Sequence, residues 1–454
     1  MQIAVLGFFI DLRCNKARLP TRSNVKKNTS YVTIVLESYF KKLRKEKRNI
    51  LHDSSGRKRR KVKETSPVLI KNAKVYTETT VIESGNVFME AGKIVSVHSS
   101  EELPSNLPER IQIIDAKGLA AIPGFIDGHI HGANGADVMD ATEAALDTMA
   151  SVLPKEGTTS FLATTITQAP EQIEAALINV RDYRNKGGQA EVIGVHLEGP
   201  FIEKTKAGAQ PLQHIKDPDE ALFDRWQELS GKKIKTITMA PELDPDGAFI
   251  KKLAAEGINV SAGHTDANYS LMQQAIKHGV RQVTHLCNAM NGIHHRDIGA
   301  VGAAMELKEL RAELIADGIH VVPEMLQLIY RNIGSERLLL ITDAMRAKCL
   351  PAGEYELGGQ PVHVSSDRAL LDNGTLAGSI LKMQEGAQNM LRLTDATMKN
   401  IVEMTAVNPA KQISIYDRKG SITPGKDADV LLVDEHLEIK YTFCRGMIAF
   451  KGDK

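Results

Sequence analysis

The sequence predicts an α/β protein: a (β/α)8 TIM-like barrel with a small discontinuous β-sandwich domain built from segments before and after it. Three observations carry this. Between residues 121 and 345, eight short apolar segments with polar tips recur about every 20 to 45 residues, and helix-compatible stretches such as Pro170–Lys186 and Asn268–His278 lie between most of them. Short alternating strands flank that region on both sides. The 454 residues are 42% hydrophobic and 25% charged, an ordinary folded composition with chain enough for a large core.

Taken in order, residues 1–64 stand apart. They hold 18 Lys and Arg against 5 Asp and Glu, a net charge of +13, whereas the remaining 390 residues carry 39 against 51, a net −12. The overall +1 therefore conceals a basic extension on a mildly acidic body. The extension contains one amphipathic stretch, Tyr31–Leu51, and the run Arg57–Lys61. We expect a solvated, mostly disordered arm rather than a nucleic-acid contact, since nothing nearby supports binding. The alternative is a start-site artefact: purine-rich leader read as Lys, Arg and Glu, with the true start near Val62 or Val68.

Residues 65–120 read as strands at 68–70, 74–76, 86–89 and 93–97, punctuated by Gly85 and Gly92. Residues 121–351 read as the barrel. Its eight strands are Gly124–Gly132, Thr159–Thr167, Val192–Pro200, Ile234–Glu242, Ile258–Asp266, Gln282–Met290, Ala312–His320 and Leu338–Met345. Their near-continuous apolar character suits a parallel sheet buried on both faces. Residues 352–454 hold helical stretches at 378–393 and 397–406 and strands at 362–364, 429–433 and 439–443, expected to join the early strands in one β domain. The four cysteines are scattered without framework spacing, as in a reducing cytoplasm, and no apolar run is long enough to span a bilayer.

In such a barrel the working residues sit at the C-terminal ends of the strands. Those ends supply His129 and His131, Glu198, His264, His285 and Asp343 from strands one, three, five, six and eight. Imidazoles and carboxylates converging on one mouth make a divalent metal site. The His129-x-His131 spacing puts both rings on one face of a strand. A protein ligand set that leaves positions open admits a water, which the metal acidifies, and Asp343 is placed to accept its proton. His196 shares its side with Glu198 and is read as a supporting residue, while His294 and His295 lie in a loop at the mouth. His52, His98, His214, His278, His363 and His436 are read as surface residues.

The segments Pro123–Gly132, His196–Pro200 (HLEGP), Gly263–Asp266, Thr284–Met290 (THLCNAM), Ala316–His320, Thr342–Arg346 and Asp372–Ser379 (DNGTLAGS) add a resemblance. Together they resemble the N-acetylglucosamine-6-phosphate deacetylases of the amidohydrolase superfamily, over about residues 67–452. The resemblance implies that Glu198, His264 and His285 bind the main metal, with His129 and His131 at a second position that only some members have. It implies Asp343 as proton shuttle and His320 on the acetyl oxygen. Ala209, Asn288, Ala289, Leu376, Ala377 and Gly378 would hold the sugar and acetamide. Gln210 stands where members often carry His. Arg296 would clamp the phosphate of a phosphorylated amino sugar, reaching across a homodimer interface. One or two divalent ions per subunit, Zn, Fe, Mn or Co, are implied. The fourth strand ends without the lysine that many amidohydrolases use to bridge two metals, which disfavours dihydroorotase- and urease-like readings. Competing readings are a base-deaminase-like amidohydrolase and a non-catalytic barrel with a basic binding arm.

Overall fold

The computed structural model describes residues 66–102 and 107–452. The basic extension, its expected helix and the Arg57–Lys61 run lie outside the described residues. Eight parallel strands form one sheet in chain order: β1 (Phe125–Ile130), β2 (Thr158–Thr165), β3 (Glu191–Glu198), β4 (Ile234–Met239), β5 (Asn259–Ala262), β6 (Val280–Val283), β7 (Arg311–Ile315) and β8 (Leu338–Ile341). The ends of β8 and β1 complete the ring through the Asp343 amide donating to the His129 carbonyl at 2.8 Å and the His131 amide donating to the Ala344 carbonyl at 2.9 Å. Buried Asp127 latches the same seam, its Oδ2 accepting the Thr342 hydroxyl at 2.6 Å and its Oδ1 the His129 amide at 3.2 Å.

Helices follow the strands: α1 (Glu143–Val152), α2 (Pro170–Asp182), α3 (Glu220–Leu229), α4 (Ala248–Ala255), α5 (Tyr269–His278), α6 (Gly299–Glu306), α7 (Pro323–Ile333) and α8 (Met383–Leu393). Their start signals are explicit. Thr142, Asp219 and Asn268 cap α1, α3 and α5 by accepting backbone amides, and Pro opens α2 and α7. The apolar faces of the helices close on the outer faces of the strands in one continuous core. In it the sole tryptophan, Trp226, stacks on Phe201 at 6.1 Å while Phe249 meets Phe201 and Phe223 edge-on.

The early and late strands do pair with each other. Val68–Tyr76 lies between Val81–Glu90 and the short strands Gln112–Asp115 and Ala120–Pro123, and the last of these pairs antiparallel with Val430–Val433. The two early strands expected at 68–70 and 74–76 are one strand, bent by an irregularity around Asn72, whose φ is +61°.

Two parts of the 352–454 assignment need correction. Residues Gly353–Leu357, Gln360–Val364 and Ala369–Leu370 form their own antiparallel sheet and do not join the early strands. Its apolar face needs a partner and finds one at the barrel mouth: Leu357, Val362 and Val364 pack with Ile166, Met345 and Ala377. And α8 completes the barrel, for Met383, Ala387 and Met390 belong to the barrel core. After α8 the chain runs helically from Met398 to Gln412, with a π turn at Glu403–Val407, and Gln412 hydrogen-bonds Asn259 at the start of β5.

Candidate metal centre

The strands β5, β6 and β8 each run into a residue with left-handed backbone: His264 (φ +48°), His285 (φ +31°) and Asp343 (φ +48°). Such conformations disfavour residues with a Cβ and concentrate where the surrounding structure enforces them for function. Here they turn three side chains into the barrel mouth. His129 on β1, His131 one residue past its end, and Glu198 at the end of β3 arrive from the strand tips.

The six side chains meet at one buried point. Glu198 Oε1 lies 3.2 Å from both His264 Nε2 and His285 Nε2, and its Oε2 lies 3.3 Å from His131 Nε2. Asp343 Oδ1 lies 3.2 Å from His131 Nε2 and 3.5 Å from His129 Nε2. Three overlapping groups emerge: His129–His131–Glu198, Glu198–His264–His285 and His129–His196–Glu313.

Proton accounting fits a cation here. His264 donates its Nδ1–H to the Lys206 carbonyl at 2.9 Å, which leaves Nε2 as the atom whose lone pair can turn inward. That atom lies 3.1 Å from His285 Nε2, with the same carboxylate oxygen beside both. His129 donates Nδ1–H to Glu313 Oε2 at 3.0 Å, and its Nε2 is buried without a hydrogen-bond partner. Inward lone pairs around a shared carboxylate are what a divalent ion takes up.

The electrostatics point the same way. Burial opposes charge on Glu198, Asp343, His129 and His131, yet their neighbours outweigh it. Glu198 is held well below the usual carboxylate range chiefly by His129, and Asp343 is lowered by His129 and His131. His129 is raised far above the ordinary imidazole value by Glu198, Asp343 and Glu313, and His131 rises to about 9 through Asp343 and Glu198. The concentrated negative charge attracts a positive partner, either protons on His129 and His131 or a cation in their place.

His196, read as a supporting residue, has both ring nitrogens engaged, with the Gly128 carbonyl at 3.0 Å and Thr238 Oγ1 at 2.7 Å, and burial lowers it to about 4. Above the centre opens a cavity of about 270 Å³, bordered by the expected Ala209, Gln210, Asn288, Ala289, His320, Leu376 and Gly378. His320 is fixed by Asp317, whose Oδ2 lies 2.6 Å from its Nδ1. Gln210 is tied down at both ends of its amide: Nε2 donates to Glu198 Oε2 at 2.7 Å, and Oε1 accepts the Thr167 amide at 2.8 Å. Two expected residues do not border the cavity. Ala377 is buried beneath it in the capping sheet's core, and Arg296 is on an exposed loop, its Nη1 2.6 Å from His295 Nε2.

Sequence reasoning missed Glu313 and Asp317. Glu313 did leave a signal: a carboxylate inside the apolar run of β7, where both faces of a parallel strand are buried.

The comparisons with known proteins agree with this geometry. The model of the amidohydrolase family matches residues 120–449. The N-acetylglucosamine-6-phosphate deacetylase of Bacillus subtilis (strain 168) is 48% identical over 387 residues, spanning 84% of this chain and 97% of the relative. An N-acetylgalactosamine-6-phosphate deacetylase of Escherichia coli O157:H7 is 32% identical over 382 residues, covering 84% and 99%. The solved structure of an N-acetyl-D-glucosamine-6-phosphate deacetylase mutant from Mycobacterium smegmatis, in complex with N-acetyl-D-glucosamine-6-phosphate, superposes with a TM-score of 0.77 at 27% identity, covering 85% of this chain and 100% of that one. A closed parallel barrel, an HxH pair at the tip of its first strand, a glutamate and two histidines at the tips of strands three, five and six, an aspartate after strand eight and this extent of similarity have one joint meaning: the chain belongs to the amidohydrolase family.

Proposed function

We propose that the protein hydrolyses N-acetylglucosamine 6-phosphate to glucosamine 6-phosphate and acetate, in amino sugar catabolism or recycling. The observation that carries the reading is the convergence of Asp343 with four histidines and Glu198 beneath a cavity that His320 and Asn288 also border. Glu198, His264 and His285 would hold the principal cation, and His129 and His131, sharing Glu198, a second. The donor set accepts Zn, Fe, Mn or Co. When bound, such a cation supplies an electrophile for the acetyl carbonyl and an acidified water.

The chain's own residues do the rest. Asp343 takes the proton of the attacking water at Oδ1 and returns it to the departing amine nitrogen. His320, its Nδ1 held by Asp317, offers Nε2 to the acetyl oxygen and donates to it when the ring is protonated. Asn288, Ala289, Leu376 and Gly378 border the sugar, and Ala377 shapes the segment from below. Gln210 serves the substrate through Glu198, whose carboxylate it holds.

The reading extends to a cytoplasmic homodimer in which Arg296 of each protomer reaches the phosphate bound by its partner. Its support is that Arg296 is exposed and outside its own cavity, and that an Arg fork suits a phosphate dianion. No helix among the described residues is long and apolar enough to cross a membrane. The test is acetate release from N-acetylglucosamine 6-phosphate with and without chelator, beside the galacto epimer and the unphosphorylated sugar. Chelator-sensitive release that requires the phosphate is expected. Release from neither phosphosugar by metal-loaded protein refutes the reading.

A further inference from the structure

His129 is held by something that reaches the far side of the barrel. Glu313 Oε1 accepts Gln282 Nε2 at 2.7 Å, while its Oε2 accepts His129 Nδ1 at 3.0 Å and the His285 amide at 3.3 Å. Gln282 Oε1 accepts Asn259 Nδ2 at 3.0 Å, and Asn259 Oδ1 accepts Gln412 Nε2 at 2.6 Å. Gln412 Oε1 in turn accepts Arg311 Nη1 at 2.6 Å. The chain therefore passes from the start of β7, through the end of the last helix, the start of β5 and the middle of β6, back to β7 and on to β1. Asn259, Gln282, Glu313 and His129 are buried, while Arg311 is half-buried at the rim.

The two ends fix its direction. A guanidinium only donates, so Gln412 must show it an oxygen; a carboxylate only accepts, so Gln282 must show it an amide N–H. Turning any one amide over would set donor against donor. With the direction fixed, Glu313 faces His129 as an acceptor and the His129 ring carries a proton on Nδ1, which leaves Nε2, beside Glu198 and Asp343, as the atom that would face a cation. Nothing in the hydrolysis itself requires residues at the opposite rim of the barrel, yet five hydrogen bonds in series connect one to the centre.

We propose that Glu313 is a positioning residue for the His129–His131–Glu198 position, and that the series Gln282, Asn259, Gln412 and Arg311 sets its orientation, so that metal affinity there depends on Arg311. This rests on the metal reading above. The test uses full-length protein stripped of metal and titrated with cobalt(II) alone, followed by visible d–d absorption and by equivalents bound. Wild type is compared with Glu313→Gln, Gln282→Leu, Arg311→Met and Arg311→Lys.

In Glu313→Gln one equivalent should weaken by about 10- to 100-fold, as when a partner behind a ligand is lost, with its absorption band shifted. The other equivalent should stay within about threefold. Gln282→Leu and Arg311→Met should move the same equivalent the same way by about three- to tenfold, and Arg311→Lys should restore part of it. Arg311 is at the rim, so its variants decide the matter even where Glu313→Gln does not fold. Wild-type affinities and spectra in both Glu313→Gln and Arg311→Met overturn the proposal, as does a single wild-type equivalent that none of the substitutions moves. Wild type that binds no cobalt refutes the metal reading instead.

Discussion

Asp343→Asn separates proton transfer from everything else this residue does. Its left-handed backbone (φ +48°) is one that asparagine tolerates better than most residues. Its amide bond to the His129 carbonyl and its carbonyl bond to the Ser379 amide, both 2.8 Å, use no side chain and survive the change. Asparagine also keeps one oxygen toward His131. What disappears is an oxygen able to take a proton. Among the described residues no stand-in lies close by: Glu198, His264, His285, His129 and His131 are the proposed ligands, and His320 is bound through Nδ1 to Asp317. Positioned acid–base groups contribute about 10²- to 10⁴-fold, and with one residue acting in both half-steps the upper part of that range applies. We expect kcat to fall at least about 10³-fold, or roughly 4 kcal/mol of barrier. Metal content and KM should change less than about threefold. The assay is acetate release, with metal analysis on the same sample. A kcat within about tenfold of wild type, metal bound, would refute Asp343 as the proton carrier.

Gln210→Leu removes a donor from Glu198 Oε2 and an acceptor from the Thr167 amide, so metal affinity should drop about tenfold in chelator competition. Lys348 is fully buried against Glu156 Oε1 at 2.5 Å; Lys348→Met strands that carboxylate and should cost about 3 kcal/mol or more in denaturant unfolding, much of it recovered by adding Glu156→Leu. Asp137 is pushed up to about 6, above all by burial, against its ordinary 3.8. The folded state thus holds this proton more tightly than the unfolded chain, and the group's destabilising effect grows as pH rises from about 4 to 6 and is complete above it. Asp137→Asn, which can still accept from the Met139 amide, should therefore raise stability at pH 8 by roughly 2 to 3 kcal/mol and change it little at pH 4, as read from melts at both. An equal effect at both pH values would show that charge burial is not its cause.

Much of the centre was legible because a barrel places its chemistry where apolar strands end. His129, His131, Glu198, His264, His285 and Asp343 each interrupt an apolar run at its tip, and a period of two or a strand count assigns them to one mouth. Glu313 and Gln282 interrupt their runs in mid-strand, where a polar residue reads as a defect until its partners on other strands are known. The capping sheet at 353–370 was misassigned for a related reason. Alternation reveals that a strand has an apolar face, as Val362 and Val364 do, but not which surface covers it, and here that surface is made by Ile166 and Met345. The left-handed turns at His264, His285 and Asp343 left no trace in residue type, because backbone strain of this kind is imposed by neighbours.

The interior of the barrel explains why chemistry and stability can be separated in this protein. A barrel of this kind ordinarily fills its interior with layers of branched apolar side chains. Here the buried interior holds His196, Thr238, Ser261, Thr284, Asn259, Gln282 and Glu313. They satisfy one another: Thr238 Oγ1 lies 2.7 Å from both Thr284 Oγ1 and His196 Nε2, and Ser261 Oγ lies 2.6 Å from Thr284 Oγ1. Hydrogen bonds exchanged with water add little net stability, so this network's main effect is to admit one arrangement of donors and acceptors. Apolar burial is concentrated outside the ring, where Phe161, Val195, Ile237 and Val260 belong to one core with the helices. A methylene removed there, as in Ile237→Val, should lower unfolding stability by about 1 kcal/mol and leave metal affinity alone. A polar group removed inside, as in Thr284→Val, leaves Thr238 and Ser261 short of a partner and should disturb the centre they surround at least as much as the fold.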